Sequence, residues 1–219
     1  MSRPVAAVTV DRMDEPRNFG GIVLCGGRSS RMGRPKAWLP FGPELMLPRV
    51  VRILSGVVSP IVVVAAPGQD VPELPANVEI VRDEDEALGP LAGLAVGLAA
   101  LAGRAQAAFA SSCDVPLLEP AFVRGVIDAL GDFDLAIPRD GKYHHPLAAV
   151  YRTQLEPAVR RLVAEGRLRP VFLLEVARAR EIDVAQLRAA DPLLCSLRNI
   201  NTPSDYEAAL RDAGFSSDA

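Results

Sequence analysis

Short apolar runs alternate along this chain with longer segments in which apolar residues recur at helical spacing. Most of the runs consist of β-branched or small apolar residues, as is typical of strands covered on both faces of a sheet. They predict strands at residues 22–24, 61–66, 78–81, 107–112, 134–138 and 147–151, and we expect 61–66 and 78–81 to be buried. The helical spacing predicts helices at residues 45–55, 89–101, 120–130, 155–164, 170–177 and 203–213.

The regular alternation of strand and helix indicates an α/β protein. Successive parallel strands need crossover connections, so we expect a mostly parallel sheet with helices on both faces. The predicted fold class is therefore a single, Rossmann-like, three-layer domain. Ligands of such sheets bind outside the carboxyl ends of the strands, and Gly26 and Asp114 both follow directly after predicted strands.

Length, composition and charge restrict the classes of partner. The chain has 219 residues, of which 49% are hydrophobic, enough for one sizeable core. We expect a flexible tail at residues 1–18 and one domain at residues 19–219. The net charge of −3 offers no general attraction for nucleic acid, and no apolar run is long enough to span a membrane. We therefore expect a cytoplasmic protein whose partners are small molecules, with neither nucleic acid nor membrane among them.

The segment from Phe19 to Lys36 suggests phosphate binding. A predicted strand ends at two glycines, Gly26 and Gly27, whose missing side chains leave backbone amides open to an anion. Four cations follow within nine positions, at Arg28, Arg31, Arg34 and Lys36. The spacing fits neither the Walker pattern nor the dinucleotide fingerprint. Glycines and charges alone leave open a second interpretation, a tight strand exit followed by solvated arginines.

The complete string LCGGRSSRMGRPK, residues 24–36, resembles the signature loop of the molybdenum cofactor guanylyltransferase family. Four further strings resemble the same family in the same order. They are GPLAGL (89–94), SSCDVPLL (111–118), HPLAAVY (145–151) and NINTPSDY (199–206). The resemblance spans almost the whole chain after residue 18. It implies a fold like that of the nucleotide-diphospho-sugar transferases, with GTP and molybdopterin as substrates and Mg²⁺ as cofactor.

The resemblance also implies roles for individual residues. Nucleotide binding falls to Leu24, Cys25, Gly26, Gly27, Lys36, Asp83 and Asp114, and catalysis to Arg31, Lys36 and Asp114. Asp114 would be the metal ligand, and His145, Asn199 and Asn201 would border the acceptor pocket. By the same resemblance, residues 19–115 hold the nucleotide and residues 116–219 contribute the acceptor site. Molybdoenzymes or other proteins of cofactor biosynthesis are the protein partners that it suggests.

Asp114 is also a candidate on chemical grounds. A carboxylate at a strand end that faces a polyphosphate is a common way of holding Mg²⁺, although an aspartate there can equally begin a turn or cap a helix. Asp83 follows another predicted strand, but its neighbours Glu84, Asp85 and Glu86 would also suit a solvated acidic turn. One strand earlier, the chain has Ala65 where many guanylyltransferases carry an asparagine, which removes a possible hydrogen bond to the nucleotide.

The remaining metal-binding side chains suggest no further site. His144 and His145 are adjacent, so on an extended segment they should point to opposite faces, and Asn199 and Asn201 would also suit a turn. Cys25, Cys113 and Cys195 lack disulfide or zinc spacing, although Cys25 and Cys113 could be neighbours.

Three other functions remain open. Cytidylyl transfer to the same pterin, or nucleotidyl transfer to another small molecule such as a sugar phosphate, would keep the signature loop. A non-catalytic GTP-binding adaptor that delivers the cofactor would instead predict loss of Asp114 or Lys36, and both are present. The string CDVP, residues 113–116, favours the guanylyl branch over the cytidylyl branch, which typically carries a QDQP-like string.

Overall fold

The computed structural model describes residues 18–26, 35–83 and 88–215. The eight strands of its main sheet are β1 (Phe19–Leu24), β4 (Ile61–Ala65), β5 (Val78–Arg82), β6 (Ala107–Ser112), β7 (Leu135–Asp140), β8 (Tyr143–His144), β9 (Ala149–Arg152) and β10 (Ala179–Asp183). A separate two-stranded hairpin is formed by β2 (Pro40–Phe41) and β3 (Glu44–Leu45). The main sheet has the order β10-β7-β9-β6-β1-β4-β5, and β8 pairs with β7.

The strand directions confirm the predicted fold class. β1 lies between β4 and β6 and is parallel to both, β5 is parallel to β4, and β10 is parallel to β7. β9 is antiparallel to β6 on one side and to β7 on the other. The carboxyl ends of β1, β4, β5 and β6 therefore meet at one edge of the sheet, as a ligand site of this fold requires.

Helices cover both faces, so the three-layer architecture is also confirmed. They are α1 (Met46–Ser55), α2 (Gly89–Leu101), α3 (Pro120–Asp128), α4 (Glu156–Ala164), α5 (Val184–Leu187) and α6 (Pro203–Asp212). Val23 of β1 packs in one core layer with residues of α1 and α3, whereas Ile22 and Leu24 pack in the other with residues of α2 and α4. None of the described helices has the length and apolar character needed to cross a membrane.

Several predicted elements differ from the structure. The strand at 78–81 exists, but it is not buried, because β5 is the last strand of the sheet and Glu79 and Ile80 are exposed. The predicted helix at 170–177 is a 3₁₀ helix, Pro170–Glu175, whose buried residues Pro170 and Leu173 lie three positions apart, as its period requires. The predicted strand at 147–151 begins later, at Ala149, after a short 3₁₀ segment.

Small residues of α2 allow this helix to lie close to the sheet. A Cβ atom added to Gly97 would lie 2.6 Å from Cγ2 of Ile22, a β-branched side chain that is fully buried. No contact as short as this is tolerated without movement of the strand or the helix. The packing of α2 on β1 therefore depends on glycine at this position.

We expect Gly97→Ala to lower the free energy of unfolding by about 1–3 kcal/mol through overpacking, despite the better helix propensity of alanine. Gly125→Ala in α3 is the matched control, because its Cβ would make an ordinary contact, 3.4 Å from Cδ2 of Leu187. The control should gain up to about 1 kcal/mol from helix propensity. Urea denaturation of both variants measures the difference, and equal stability changes would contradict the close packing.

Candidate active site

A cleft of about 260 Å³ opens at the carboxyl ends of β1, β4, β5 and β6, beside the first turn of α2. Its lining comes from the strand ends, from α2 and from two later segments of the chain. The lining residues are Leu24, Gly26, Val64, Ala65, Ala66, Asp83, Gly89, Pro90, Gly93, Ser112, Asp114, Leu147 and Asn199. The cleft thus combines apolar walls with two carboxylates and an amide, a composition common in small-molecule sites.

Gly26 forms the floor of the cleft where β1 ends. A Cβ atom added there would meet no atom closer than the Ala66 nitrogen, at 3.6 Å, so the protein's own packing does not demand a glycine. The missing side chain instead leaves the backbone open to the cleft. Gln69 braces this region, because its Nε2 donates to the Cys25 carbonyl at 3.0 Å and its Oε1 accepts from the Ala66 amide at 2.9 Å. Sequence reasoning missed Gln69, which lies in a loop without periodicity.

The Asp114 carboxylate accepts hydrogen bonds from three side chains of the described part of the chain. Asp114 follows β6 and is only 9% exposed. Its Oδ2 accepts from Lys36 Nζ at 2.7 Å, while its Oδ1 accepts from Asn199 Nδ2 at 2.9 Å and from the Ser112 hydroxyl. The Asp114 carbonyl also accepts from the Ile200 amide, at 2.9 Å. The 199–201 segment is thereby attached to the end of β6.

Lys36 is the last residue of the signature loop and begins the 3₁₀ turn Lys36–Trp38. Besides Asp114, its ammonium group donates to Asn201 Oδ1 at 2.9 Å. Thr202 and Asp205 form a capping box at the start of α6. The Asp205 carboxylate also accepts a hydrogen bond from the backbone N–H of Asn201. This bond is the main reason why the pKa of Asp205 lies below its usual value. The position of Asn201 is therefore fixed by the helix that follows it.

Asp83 lines the cleft at the end of β5. Its amide donates to the Ala65 carbonyl at 2.9 Å, so the ends of β4 and β5 are held side by side. Ala65 and Ala66 form the apolar wall between Asp83 and Gly26. Ala65, which stands where many guanylyltransferases carry an asparagine, therefore faces the site and supplies no side-chain amide to it.

The two adjacent histidines have different surroundings. His144 Nε2 lies 2.8 Å from the Glu181 carboxylate of β10. His145 is half-buried, and none of the described residues makes a hydrogen bond with its Nε2. Burial lowers the pKa of His145. His145 is not among the residues lining the cleft, although Leu147, two positions later, is.

Cys25 and Cys113 are neighbours at the ends of β1 and β6, where Leu24 pairs with Ser112, so this prediction is confirmed. A hydrogen bond from the Cys113 thiol lowers the pKa of Cys25, and the same contact raises the pKa of Cys113. Both are buried free cysteines, and neither is among the residues lining the cleft.

The described part of the chain holds no cluster of three or more histidine, cysteine, aspartate or glutamate side chains that could bind a metal. A cation that coordinates one or two carboxylates and takes its other ligands from substrate phosphates and water needs no such cluster. The Asp114 carboxylate suits a cation of this kind, because its oxygen atoms are hard ligands and the residue lines the cleft. Gly27, Arg28, Arg31, Arg34 and residues 84–87 lie outside the described residues, as does most of the predicted tail.

Comparison with known proteins identifies the family. Residues 21–181 match the model of the MobA-like NTP transferase domain, which is about three quarters of the chain. The protein belongs to this family. The resemblance seen in the sequence is thus confirmed, and the chain is a nucleotidyltransferase by family.

Individual relatives agree with the assignment to the MobA-like NTP transferases. The chain is 38% identical over 201 residues to the probable molybdenum cofactor guanylyltransferase of Mycobacterium avium, a match covering 90% of this chain and 97% of the relative. Its fold matches the crystal structure of molybdopterin-guanine dinucleotide biosynthesis protein A from Archaeoglobus fulgidus with a TM-score of 0.72, at 23% identity, over 89% of this chain and 98% of that one. Mycobacterium tuberculosis Rv0371c in complex with manganese matches with a TM-score of 0.58 at 19% identity, over 89% and 98% of the two chains.

The MobA-like segment contains Gly26, Lys36, Asp83 and Asp114, but it ends before Asn199. The structure shows that the part of the chain beyond this segment returns to the cleft and contacts both Asp114 and Lys36. The site of this family member is therefore completed by residues far apart in the sequence.

Proposed function

We propose that the protein transfers GMP from GTP to the terminal phosphate of molybdenum-bearing molybdopterin and releases pyrophosphate. The names of its relatives support this reaction. The observation that carries the proposal is the Lys36–Asp114 pair, 2.7 Å apart, at the strand ends beside the bare backbone of Gly26. A cation, a carboxylate and an open backbone amide are the groups that phosphoryl chemistry needs in one place.

The acceptor phosphate attacks the α-phosphorus of GTP in line, and pyrophosphate leaves from the opposite side. No covalent enzyme intermediate is required, so the protein acts by positioning and by electrostatic stabilisation. Lys36 binds the β,γ-phosphates, on which charge develops as the bond breaks. The backbone amides of Gly26 and Gly27 and the side chain of Arg31 bind the remaining phosphate oxygens. Leu24, Cys25 and Asp83 complete the nucleotide site.

Asp114 holds Mg²⁺ in this proposal. The cation supplies positive charge beside the reacting phosphates when it is bound. Asp114 suits it because its oxygens are hard ligands that face the cleft, and Ser112 and Asn199 orient the carboxylate by hydrogen bonds. The manganese complex of the Mycobacterium tuberculosis neighbour supports the use of a divalent cation within this fold.

Asn199, Asn201 and His145 are the proposed acceptor-side residues. Amide groups suit the hydrogen-bonding edge of a pterin, and Asn199 already lies in the cleft beside Asp114. In this arrangement residues 19–115 bind the nucleotide and residues 116–219 bring the acceptor to it. Molybdoenzymes or other proteins of cofactor biosynthesis would then receive the product.

The nucleotide base gives a direct test of the proposal. We expect GTP to bind at least about tenfold more tightly than CTP, ATP or UTP, a difference of about 1.4 kcal/mol or more. Isothermal titration with each triphosphate in the presence of Mg²⁺ measures this preference.

Preference for CTP would contradict guanylyl transfer and would favour the cytidylyl alternative. The cleft wall itself does not select a base through side chains, because Ala65 and Ala66 offer no side-chain hydrogen bond to any base. Along this part of the described cleft wall, base recognition would then rest on backbone groups and on Asp83. Ala65→Asn, which adds an amide to the wall, should alter the GTP affinity, whereas Ala76→Asn, the same substitution at an exposed turn position outside the lining, should not.

A further inference from the structure

Asp114, the proposed metal ligand, already forms an ion pair with a cation of the protein itself, the Lys36 ammonium group. Lys36 Nζ lies 2.7 Å from Asp114 Oδ2, and the two side chains are only 17% and 12% exposed. The other carboxylate oxygen, Oδ1, accepts from Asn199 and Ser112. With Lys36 in this place, both oxygens of Asp114 are engaged within the protein.

A divalent cation and the Lys36 ammonium group cannot share Asp114 Oδ2 easily. A metal ion would approach the carboxylate oxygen to about 2.1 Å, closer than the ammonium group lies now. The two positive charges would then be neighbours in a site that water only partly screens, so they would repel each other. A metal ion that binds without nucleotide must therefore either displace Lys36 from the carboxylate or bind with an affinity lowered by this repulsion.

Lys36 is suited to being displaced. Its ammonium group is a compact charge on a flexible stem, and its donors can turn to new acceptors. Gly26 and Asp114 line the same cleft, so phosphates bound beside Gly26 would lie near the carboxylate that Lys36 contacts. The second hydrogen bond, to Asn201 Oδ1 at 2.9 Å, shows that Asp114 is not its only acceptor.

We infer that Lys36 acts as a resident counter-ion that keeps metal off Asp114 until a triphosphate arrives. The β,γ-phosphates draw the ammonium group away from the carboxylate, and the freed Asp114 then binds the cation. Metal and nucleoside triphosphate therefore bind together, and metal alone binds weakly. This inference rests on the proposed role of Asp114, but not on the identity of the base or of the acceptor.

The test is Mn²⁺ binding without nucleotide, followed through the electron paramagnetic resonance signal of free Mn²⁺. We expect Lys36→Met to bind one Mn²⁺ at least about tenfold more tightly than the parent protein. Lys142→Met removes the same charge from an exposed hairpin and should leave the affinity unchanged. The double variant Lys36→Met with Asp114→Asn should lose the gain, which assigns the metal to Asp114.

A second measurement keeps the inference testable if Lys36→Met folds poorly. Lys36→Gln retains a hydrogen-bond donor toward Asp114 without the charge, so Mg²⁺ alone should raise its melting temperature while leaving that of the parent protein unchanged. Equal Mn²⁺ affinity of the parent protein and both Lys36 variants would overturn the inference. The proposed transfer reaction could still hold in that case, because the base preference and the products are measured independently.

Discussion

Replacing Asp114 by asparagine should lower the rate of pyrophosphate release by about 10²–10³-fold, the effect of removing one preorganised electrostatic group. The substitution preserves the shape of the side chain and its contacts with Ser112 and Asn199, but it removes the charge that holds the metal. An adaptor that only carries a bound nucleotide would not depend on this charge. The rate is measured with GTP and acceptor across a Mg²⁺ titration.

The control for this prediction must separate chemistry from stability. The Asp114→Asn variant no longer forms an ion pair with Lys36, so its melting temperature should fall, and the assay is run well below it. Asp134→Asn is the matched variant, because Asp134 also accepts hydrogen bonds from the protein but lies outside the cleft. It should keep the parent rate. A parent rate in Asp114→Asn would make Asp114 a structural residue and move the metal to another ligand, such as Asp83.

Lys36→Ala is expected to weaken the binding of GTP at least about tenfold and the binding of GMP much less. The ammonium group is assigned to the β,γ-phosphates, which GMP lacks. At an effective dielectric constant of about 20, a charge contact at about 4 Å contributes roughly 4 kcal/mol before the cost of desolvation. Titration calorimetry with both nucleotides in Mg²⁺ gives the two ratios.

GMP is the internal reference for this measurement, since any general damage to the cleft weakens both ligands alike. Lys142→Ala is the charge-matched control and should change neither affinity. Equal weakening of GTP and GMP by Lys36→Ala would show that Lys36 supports the cleft through Asp114 and Asn201 without binding phosphate. The effect on triphosphate is opposite in sign to the tighter metal binding expected of Lys36→Met, so one mechanism predicts both.

Much of the fold could be predicted from periodicity because its central strands are buried on both faces. β1, β4 and β6 are continuous apolar or small-residue runs, and the helices between them keep helical spacing. Elements at the margin of the sheet lack that signal. β10 has the sequence AREID with only Ile182 buried, and the β2–β3 hairpin has two residues in each strand. Partial exposure permits polar residues there, so no apolar pattern marks these strands.

The candidate site was predictable where it depends on strand ends and not where it depends on long-range contacts. Gly26 and Asp114 follow buried strands, and parallel strands bring such positions to one edge. The Lys36–Asp114 contact joins residues 78 positions apart, and the Lys36–Asn201 contact joins residues 165 positions apart. No local pattern encodes either contact. The first depends on how the Lys36–Trp38 turn lies against the end of β6, and the second on how the 199–201 segment returns to the sheet. The family resemblance named these residues without showing that they touch.

The central claim is that this MobA-like protein forms a guanine dinucleotide of the pterin, and the mass of the product tests it most directly. The parent protein is incubated with molybdenum-bearing molybdopterin, Mg²⁺ and equal concentrations of GTP, CTP, ATP and UTP, and the pterin products are identified by mass spectrometry. We predict a pterin product heavier by one guanylyl group, formed together with an equal amount of pyrophosphate and absent with Asp114→Asn. A cytidylyl product, or GTP bound without any pyrophosphate release, would contradict the account.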